Sequence, residues 1–470
     1  MKGSVASFRD LALRHGFAAA VGRLLSLATG ALGIIVFARL LTKEDFARFS
    51  VLQSIVTFLS IIASFGLGQS ALQLLGAKNA ASKSVKRTIF RELGTIGLFS
   101  HLIVGLISIP IFVAIGPLFA GTDVSVPVAI CLAITVALRG LQAVYGEIAR
   151  ALNLTFLANM LTGLNGGAMH NGMTLLVMIA ASALFDLDWV TTVYATLIAL
   201  LASIPVVGLL HMYEGSRAPQ LDLTKSADPS THSATSHSDG PINRAHLIKS
   251  SGLFAAIFLA IIICDQLDIL LAGMLGSLED ASLYIAGKRI VMLLLIPLSV
   301  SNLAVMSLVP ALYLGGEIEK LNRYLQAVAA ATLVPSLILC GTILVAPTTV
   351  IHYLLGSQYE QASVYLLILA PFQILVACTG SFNVVLFSVG RSKISLSLFV
   401  GTTLLLVAFS PLVVNRYGLV GFAALVSILV GIRNALGSWI VYRYFGIATL
   451  PSFRELFAQL KFIRGRFASA

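Results

Sequence analysis

Charge is scarce in this 470-residue chain: only 11% of its residues are Asp, Glu, Lys or Arg, against about 25% in a soluble domain. With 58% hydrophobic residues and a mean hydropathy of +0.95, that scarcity excludes a single water-soluble globule. Cysteine is also sparse. Cys131, Cys264, Cys340 and Cys378 each sit in an apolar run, and none forms a CxxC pair. That pattern suits small buried hydrophobes rather than a disulfide framework or a metal site. No P-loop, nucleophile elbow, zinc signature or glycine-rich dinucleotide turn occurs. Neither nucleotide hydrolysis by the chain nor any bound cofactor or metal is therefore expected. Transport would have to draw on an ion gradient, a potential or substrate turnover. No cleavable signal sequence is expected, because residues 1–15 are polar and basic and the apolar run 17–41 is too long for a signal core.

What is present in abundance is membrane-length apolar sequence. Twelve runs are predicted, over approximately 17–41, 46–76, 93–120, 125–152, 155–183, 189–212, 248–275, 283–314, 325–351, 361–389, 394–414 and 419–442. The connections alternate in charge. One set carries Lys78, Lys83, Lys86, Arg87 and Arg91, then Arg150, then Arg217 to Lys249, then Lys320 and Arg323, then Arg391 and Lys393. The other carries Glu44–Asp45, Asp123, Asp186–Asp188, Glu279–Asp280 and Glu360. The positive-inside rule makes the first set cytoplasmic, and with it both termini. The net charge of +11 then belongs to membrane loops, and no nucleic-acid partner is expected. The predicted fold class is an all-α integral membrane protein, with twelve transmembrane helices in two pseudo-symmetric six-helix lobes.

The predicted domains follow from composition. Residues 1–15 form a basic cytoplasmic segment with Val5, Phe8 and Leu11 at helical spacing. Residues 16–212 and 248–445 form the two lobes. Residues 213–247, rich in Ser, Thr, Asp and His, read as a disordered cytoplasmic linker. His232, His237 and His246 lie there at irregular spacing, and no metal site is expected from them. Residues 446–470 carry an amphipathic helix, with Phe453, Leu456, Phe457 and Leu460 opposite Arg454, Lys461 and Arg464. The halves show a faint repeat: Thr42, Glu44, Asp45 and Phe49 match Ser277, Glu279, Asp280 and Tyr284 at an offset of 235 residues. Six spans per half give a parallel repeat about an axis along the membrane normal.

Candidate functional residues are the charges sunk in apolar runs, where they normally face a bundle interior or a water-filled path. They are Arg23, Arg139, Lys288, Arg289 and Arg433. Several cations on one cavity would suit a phosphate or pyrophosphate headgroup; the alternative is that each neutralises a nearby acid, as Arg289 would Asp268 at matching depth. Asp265 and Asp268 share a helix face and are candidates for ion coupling, with a fixed ion pair as the other reading of Asp268. Relative to the first half they replace Gly30 and Gly33, while Lys288 replaces Gln53. Residues 163–172 (GLNGGAMHNG) interrupt the fifth span, with Asn165, His170 and Asn171. Such a break lines a transport site or packs helices closely. His170 is also a candidate for a pH switch. Gln53, Gln142, Gln373 and Asn383 are further polar candidates. Pro205, Pro297 and Pro371 predict kinks, mobile or static.

At 37–41 (FARLL), 44–47 (EDFA), 49–55 (FSVLQSI) and 65–71 (FGLGQSA) the chain resembles the polysaccharide flippase family, in the superfamily shared with multidrug extruders and lipid II flippases. Residues 266–271 (QLDILL) and 284–289 (YIAGKR) resemble that family's seventh and eighth helices. The chain departs at Thr42–Lys43, where the family often has Gly-Pro, at Phe65, where it commonly has an acid, and in its long central linker. The resemblance implies movement of an undecaprenyl-pyrophosphate-linked oligosaccharide from the inner to the outer leaflet of a bacterial inner membrane. It also implies alternating access around a cationic cavity, with membrane lipids and polysaccharide polymerase or export machinery as partners. Two alternatives stay open. A drug–cation antiporter would want an anionic cavity. A membrane glycan polymerase or ligase would need larger outer loops. No enzymatic activity is expected.

Overall fold

The computed structural model describes residues 2–68, 70, 83–121, 123–151, 154–162, 167–217 and 244–457, and among these every regular element is helical. The first half contributes α1 (Lys2–Leu40), α2 (Lys43–Ser64), α3 (Lys83–Ala120), α4 (Val126–Ala151), α5 (Thr155–Leu161), α6 (Gly167–Ser182) and α7 (Trp189–Arg217). The second half contributes α8 (Arg244–Leu275), α9 (Leu278–Val291), a 3-10 turn (Met292–Leu295), α10 (Ile296–Leu314), α11 (Ile318–Val345) and α12 (Pro347–Leu355). A second 3-10 turn (Ser357–Ala362), α13 (Ser363–Thr379), α14 (Phe382–Ser388) and α15 (Ser392–Phe445) complete it. Among the described residues nine helical stretches are long and apolar enough to cross a membrane. The 54-residue α15 turns at Gly418, where φ is 63° and ψ −166°, and so makes two passes. The fifth expected span is split into α5 and α6, with residues 163–166 outside the described set.

Two boundaries differ from expectation. The basic segment at residues 2–15 is the start of α1, which runs unbroken to Leu40, and is no separate interfacial helix. The helices α7 and α8 also extend into both edges of the expected linker, to Arg217 and from Arg244; its residues 218–243 lie outside the described set. Helical periodicity of mixed polar sequence carries no mark of where a membrane helix ends, so composition placed these edges too early.

The two matched turns fold alike. Thr42 and Ser277 are both extended N-caps, with their hydroxyls accepting from Asp45 N at 3.2 Å and Asp280 N at 3.1 Å. The side-chain oxygen satisfies a helix N–H that has no partner within the helix. The end of the molecule holding these turns, also rich in Glu and Asp, is called the acidic end below; the opposite end holds the basic connections.

Packing turns the molecule inside out relative to a soluble protein. Leu98, Phe99, Leu102, Ile103 and Leu106 of α3 are each more than half exposed, an apolar face suited to lipid. Towards the acidic end, one apolar core joins both halves: Val51 and Leu52 of α2 with Ile269, Leu270 and Tyr284 of α8 and α9. Towards the basic end the described cores separate, one around Leu157 and Leu161, the other around Val305, Leu325 and Phe382. Gly273 permits the central contact, since a Cβ there would stand 2.7 Å from the Phe119 carbonyl and 2.8 Å from Val51.

Polar contacts fasten the same end. Lys43 Nζ meets Glu279 Oε1 at 2.6 Å, joining the two repeated turns. Arg39, at the last turn of α1, donates from Nε to the Leu354 carbonyl at 3.1 Å and from Nη2 to the Tyr353 carbonyl. Gln358 returns the contact, donating to the Ala38 carbonyl at 2.8 Å. Each side chain thus caps the unpaired carbonyls ending a helix of the other lobe.

Candidate functional site

Between the lobes lies a cavity enclosing about 690 Å3 of atom-free space, including the part open at its mouth. Helices α1, α2, α4, α6 and α7 supply most of its wall, and α8 and α9 supply Gln266 and Arg289. Phe37, Phe46 and Phe49 close its acidic end; Phe37 and Phe49 meet edge to face at 5.2 Å, and Phe46 meets Tyr359 of the other lobe at 5.7 Å. At 1.5 Å per residue, Gln53, Arg139 and Arg289 lie about 15–20 Å along their helices from that end. They therefore converge near mid-membrane depth.

Arg139 and Arg289 come from opposite lobes and lie within electrostatic reach of each other. Arg139 is held by Gln53, donating from Nη1 to Oε1 at 2.8 Å. Gln53 thus presents its amide NH2 as a donor; its Nε2 is buried and has no acceptor. Across the lobes, Ser54 Oγ lies 3.1 Å from Gln266 Oε1, as well as 3.0 Å from the Ser50 carbonyl of its own helix. Among the described residues no carboxylate lines this cavity. The lining is rich in donors and carries two positive charges, an arrangement that stabilises a negatively charged group.

The neighbour of Arg289 in sequence is placed differently. Lys288 Nζ binds Asp268 Oδ1 at 2.5 Å and the Asp265 carbonyl at 2.6 Å. Tyr284 donates to Asp268 Oδ2 at 2.5 Å, and the Ile269 N–H donates to Oδ1 at 2.9 Å. Asp268 is only 2% exposed, so this is a buried ion pair with its hydrogen bonds satisfied. Asp268 also lies within electrostatic reach of Arg289, but its direct cationic partner is Lys288. The repeat explains why the cavity is lopsided. Where the second lobe carries Asp268, the first carries Gly33, which lines the cavity and has nothing within 4 Å of an added Cβ. The second lobe fills with a salt bridge the space that the first keeps open.

The remaining sequence candidates are elsewhere. Arg433 is buried in the second lobe, its Nη1 2.7 Å from Cys264 Sγ and its guanidinium 4.3 Å from the Phe399 ring centroid. Asp265 lies within electrostatic reach of Arg433 and Lys288. Arg23 lies within electrostatic reach of Arg150, which itself binds Glu147 at 2.7 Å and Thr162 at 2.9 Å. Asn165 lies outside the described residues. Of the substrate-binding candidates, the fold brings Gln53, Arg139 and Arg289 onto one cavity; Arg23, Lys288 and Arg433 do not line it. Sequence reasoning missed Thr57, Thr174, Thr196 and Gln266 as lining residues. Threonine is common in membrane helices, and only the rotation of each helix reveals which hydroxyl faces a cavity.

Similar architecture occurs in solved proteins. The lipid II flippase MurJ in an inward closed conformation superposes with a TM-score of 0.66 at 12% identity, over 95% of this chain and 89% of that one. An inward-facing multidrug resistance MATE family transporter of the MOP superfamily gives 0.64 at 18% identity, over 90% and 96%. A MOP superfamily transporter from Pyrococcus furiosus, described as having a binding pocket of reverse polarity, gives 0.58 at 17% identity, over 91% and 93%. Sheathed in apolar side chains and two-lobed around a polar chamber, the chain is a multi-pass membrane protein with the fold of MOP superfamily transporters. The family model described as "Polysaccharide biosynthesis protein" matches residues 12–313, and the MatE model matches residues 254–412. The first of these spans well over half the sequence, and the chain belongs to the polysaccharide biosynthesis protein family. No curated protein matches the chain in sequence.

Proposed function

We infer that the protein is a flippase, carrying a polyprenyl-pyrophosphate-linked oligosaccharide from the inner to the outer leaflet of a bacterial inner membrane by alternating access. The observation that carries this reading is the pair Arg139 and Arg289, presented by opposite lobes to one cavity that has no carboxylate among its described lining residues. Guanidinium groups offer forked donors that match phosphate oxygens. An anion bridging the two would offset their mutual repulsion and draw the lobes together, which couples cargo binding to lobe movement. A second, apolar cleft adjoins the first and shares Gly30, Ile34 and Arg289 with it; Leu27, Ala31, Met292, Leu293 and Ile296 complete it. A headgroup held at Arg289 would have an oily surface beside it for a polyprenyl tail.

The basic end is cytoplasmic in this reading, so a chamber closed at the acidic end faces inward. Asp265 is the proposed coupling group, beside Arg433 and Lys288. Asp268 and Lys288 tie α8 to α9, and Arg23 and Arg433 serve as cationic stations reached in other conformations. Polysaccharide polymerase or export machinery would receive the cargo. The role is non-catalytic, and the lining disfavours a drug–cation antiporter, whose cargo would face two guanidiniums. Deleting the gene should cause one polyprenyl-linked oligosaccharide to accumulate on the cytoplasmic leaflet, identified by lipid mass spectrometry. A deletion strain with no such lipid and normal surface polysaccharide would refute the assignment.

A further inference from the structure

The cavity is not uniformly suited to an anion. Thr174 Oγ1 donates to the His170 carbonyl, Thr196 Oγ1 to the Thr192 carbonyl and Thr57 Oγ1 to the Gln53 carbonyl, each at 2.8 Å. A hydroxyl has one proton and two lone pairs. With the proton committed to its own helix, each threonine offers the cavity acceptors only. Acceptors repel phosphate oxygens and receive hydrogen bonds from O–H or N–H groups. Beside them His170 is 3% exposed, lines the same cavity, and its Nδ1 has no hydrogen-bond partner among the described residues. Unpaired buried polar atoms of this kind are rare in native proteins and call for an explanation. Arg139, Arg289 and Gln53 thus bring donors and positive charge to the cavity, while Thr174 on α6 and Thr196 on α7 bring hydroxyl acceptors.

We propose that the α6–α7 wall is a glycan subsite, in which Thr174 and Thr196 accept hydrogen bonds from hydroxyl or acetamido N–H groups of the sugar joined to the anionic headgroup, with Thr57 of α2 as a further acceptor beside Gln53, and His170 Nδ1 engages the same sugar. The ligand class this selects is a hydroxyl-rich group attached directly to a phosphate, held with the phosphate on the arginines and the sugar on the threonines. The subsite rests on the flippase reading above and adds to it where cargo identity is read.

The test uses the full-length protein in nanodiscs and two probes: undecaprenyl pyrophosphate, and undecaprenyl pyrophosphate bearing one N-acetylglucosamine. Wild-type protein should bind the sugar-bearing probe more tightly. The isosteric double variant Thr174→Val with Thr196→Val should weaken that probe about tenfold and change the sugar-free probe by less than about twofold, the loss expected for one or two hydrogen bonds. Thr174→Ser with Thr196→Ser keeps both hydroxyls and should restore wild-type affinity. Binding of the sugar-free probe reports that each variant is folded. Equal wild-type affinity for the two probes, or a valine variant that weakens both alike or neither, would overturn the subsite. If the sugar-free probe still binds and is lost in Arg139→Gln, the subsite alone has failed. If the wild-type protein binds neither probe, the flippase reading fails with it.

Discussion

Lys288 and Arg289 are adjacent in sequence and serve different ends. Lys288 is closed in a buried ion pair with Asp268, while Arg289 lines the chamber. Removing one partner of a buried pair leaves an uncompensated charge, which is destabilising by about 3–5 kcal/mol. Lys288→Met should therefore lower the melting temperature of the purified protein markedly, and adding Asp268→Asn should recover much of the loss. A Lys288→Met protein that melts like wild type would show that Lys288 does not hold α8 to α9. At this scale the sequence disclosed that Arg139, Arg289 and Gln53 are polar groups in oily helices. It did not disclose that Lys288 is the cation bonded to Asp268 Oδ1, because Asp268 is nearly equidistant along the chain from Lys288 and Arg289. Their opposite placement depends on a rotation of about 100° between consecutive helix positions. The threonines were hidden for the same reason.

Breaks within the helices govern how the elements can move. The α9 helix passes through a 3-10 turn at Met292–Leu295, just before Pro297, whose ring removes one helix hydrogen bond and crowds the carbonyl four residues back. The break falls three residues beyond Arg289, so bending there would re-aim the guanidinium. Gly418 divides α15 into its two passes in a conformation open essentially to glycine alone. An added Cβ at Gly418 meets nothing within 4 Å, so Gly418→Ala isolates the backbone effect. It should destabilise the protein by about 1–3 kcal/mol, read as a lowered melting temperature with the chamber residues untouched. Unchanged melting would mean that the turn can relax. The gap between the runs 394–414 and 419–442 already marked this turn, and the Thr42/Ser277 match already marked the paired caps. The joining of residues 2–15 to α1 was not legible, because a basic amphipathic stretch has the same pattern whether it lies on a membrane or continues into one.

On the scale of the whole molecule, the lobes share one core and a set of cross-contacts towards the acidic end and have separate described cores towards the basic end. Lys43–Glu279 and the reciprocal caps of Arg39 and Gln358 form the fastening. An exposed pair alone contributes roughly 0–1 kcal/mol, enough to tilt a near-balanced equilibrium several-fold. Lys43→Glu should raise the population with separated acidic ends, measured by pulsed electron paramagnetic resonance between spin labels on the two lobes. The double swap Lys43→Glu with Glu279→Lys should restore the wild-type distribution; identical distributions in all three would show that the pair does not hold the acidic ends together. The two-lobed, twelve-pass plan was readable from apolar run length and loop charge, whereas the chamber's position on the first-lobe side was not. That asymmetry arises from Gly33 facing open space where the second lobe carries Asp268. Flipping itself bears on everything above: proteoliposomes carrying fluorescent polyprenyl-pyrophosphate-linked sugar, quenched from outside, compared for wild type, Arg139→Gln and Arg289→Gln. Wild-type liposomes should lose signal from both leaflets and each variant from the outer leaflet only, with all three proteins equally folded. Both variants flipping at the wild-type rate would contradict an anionic headgroup held between the lobes.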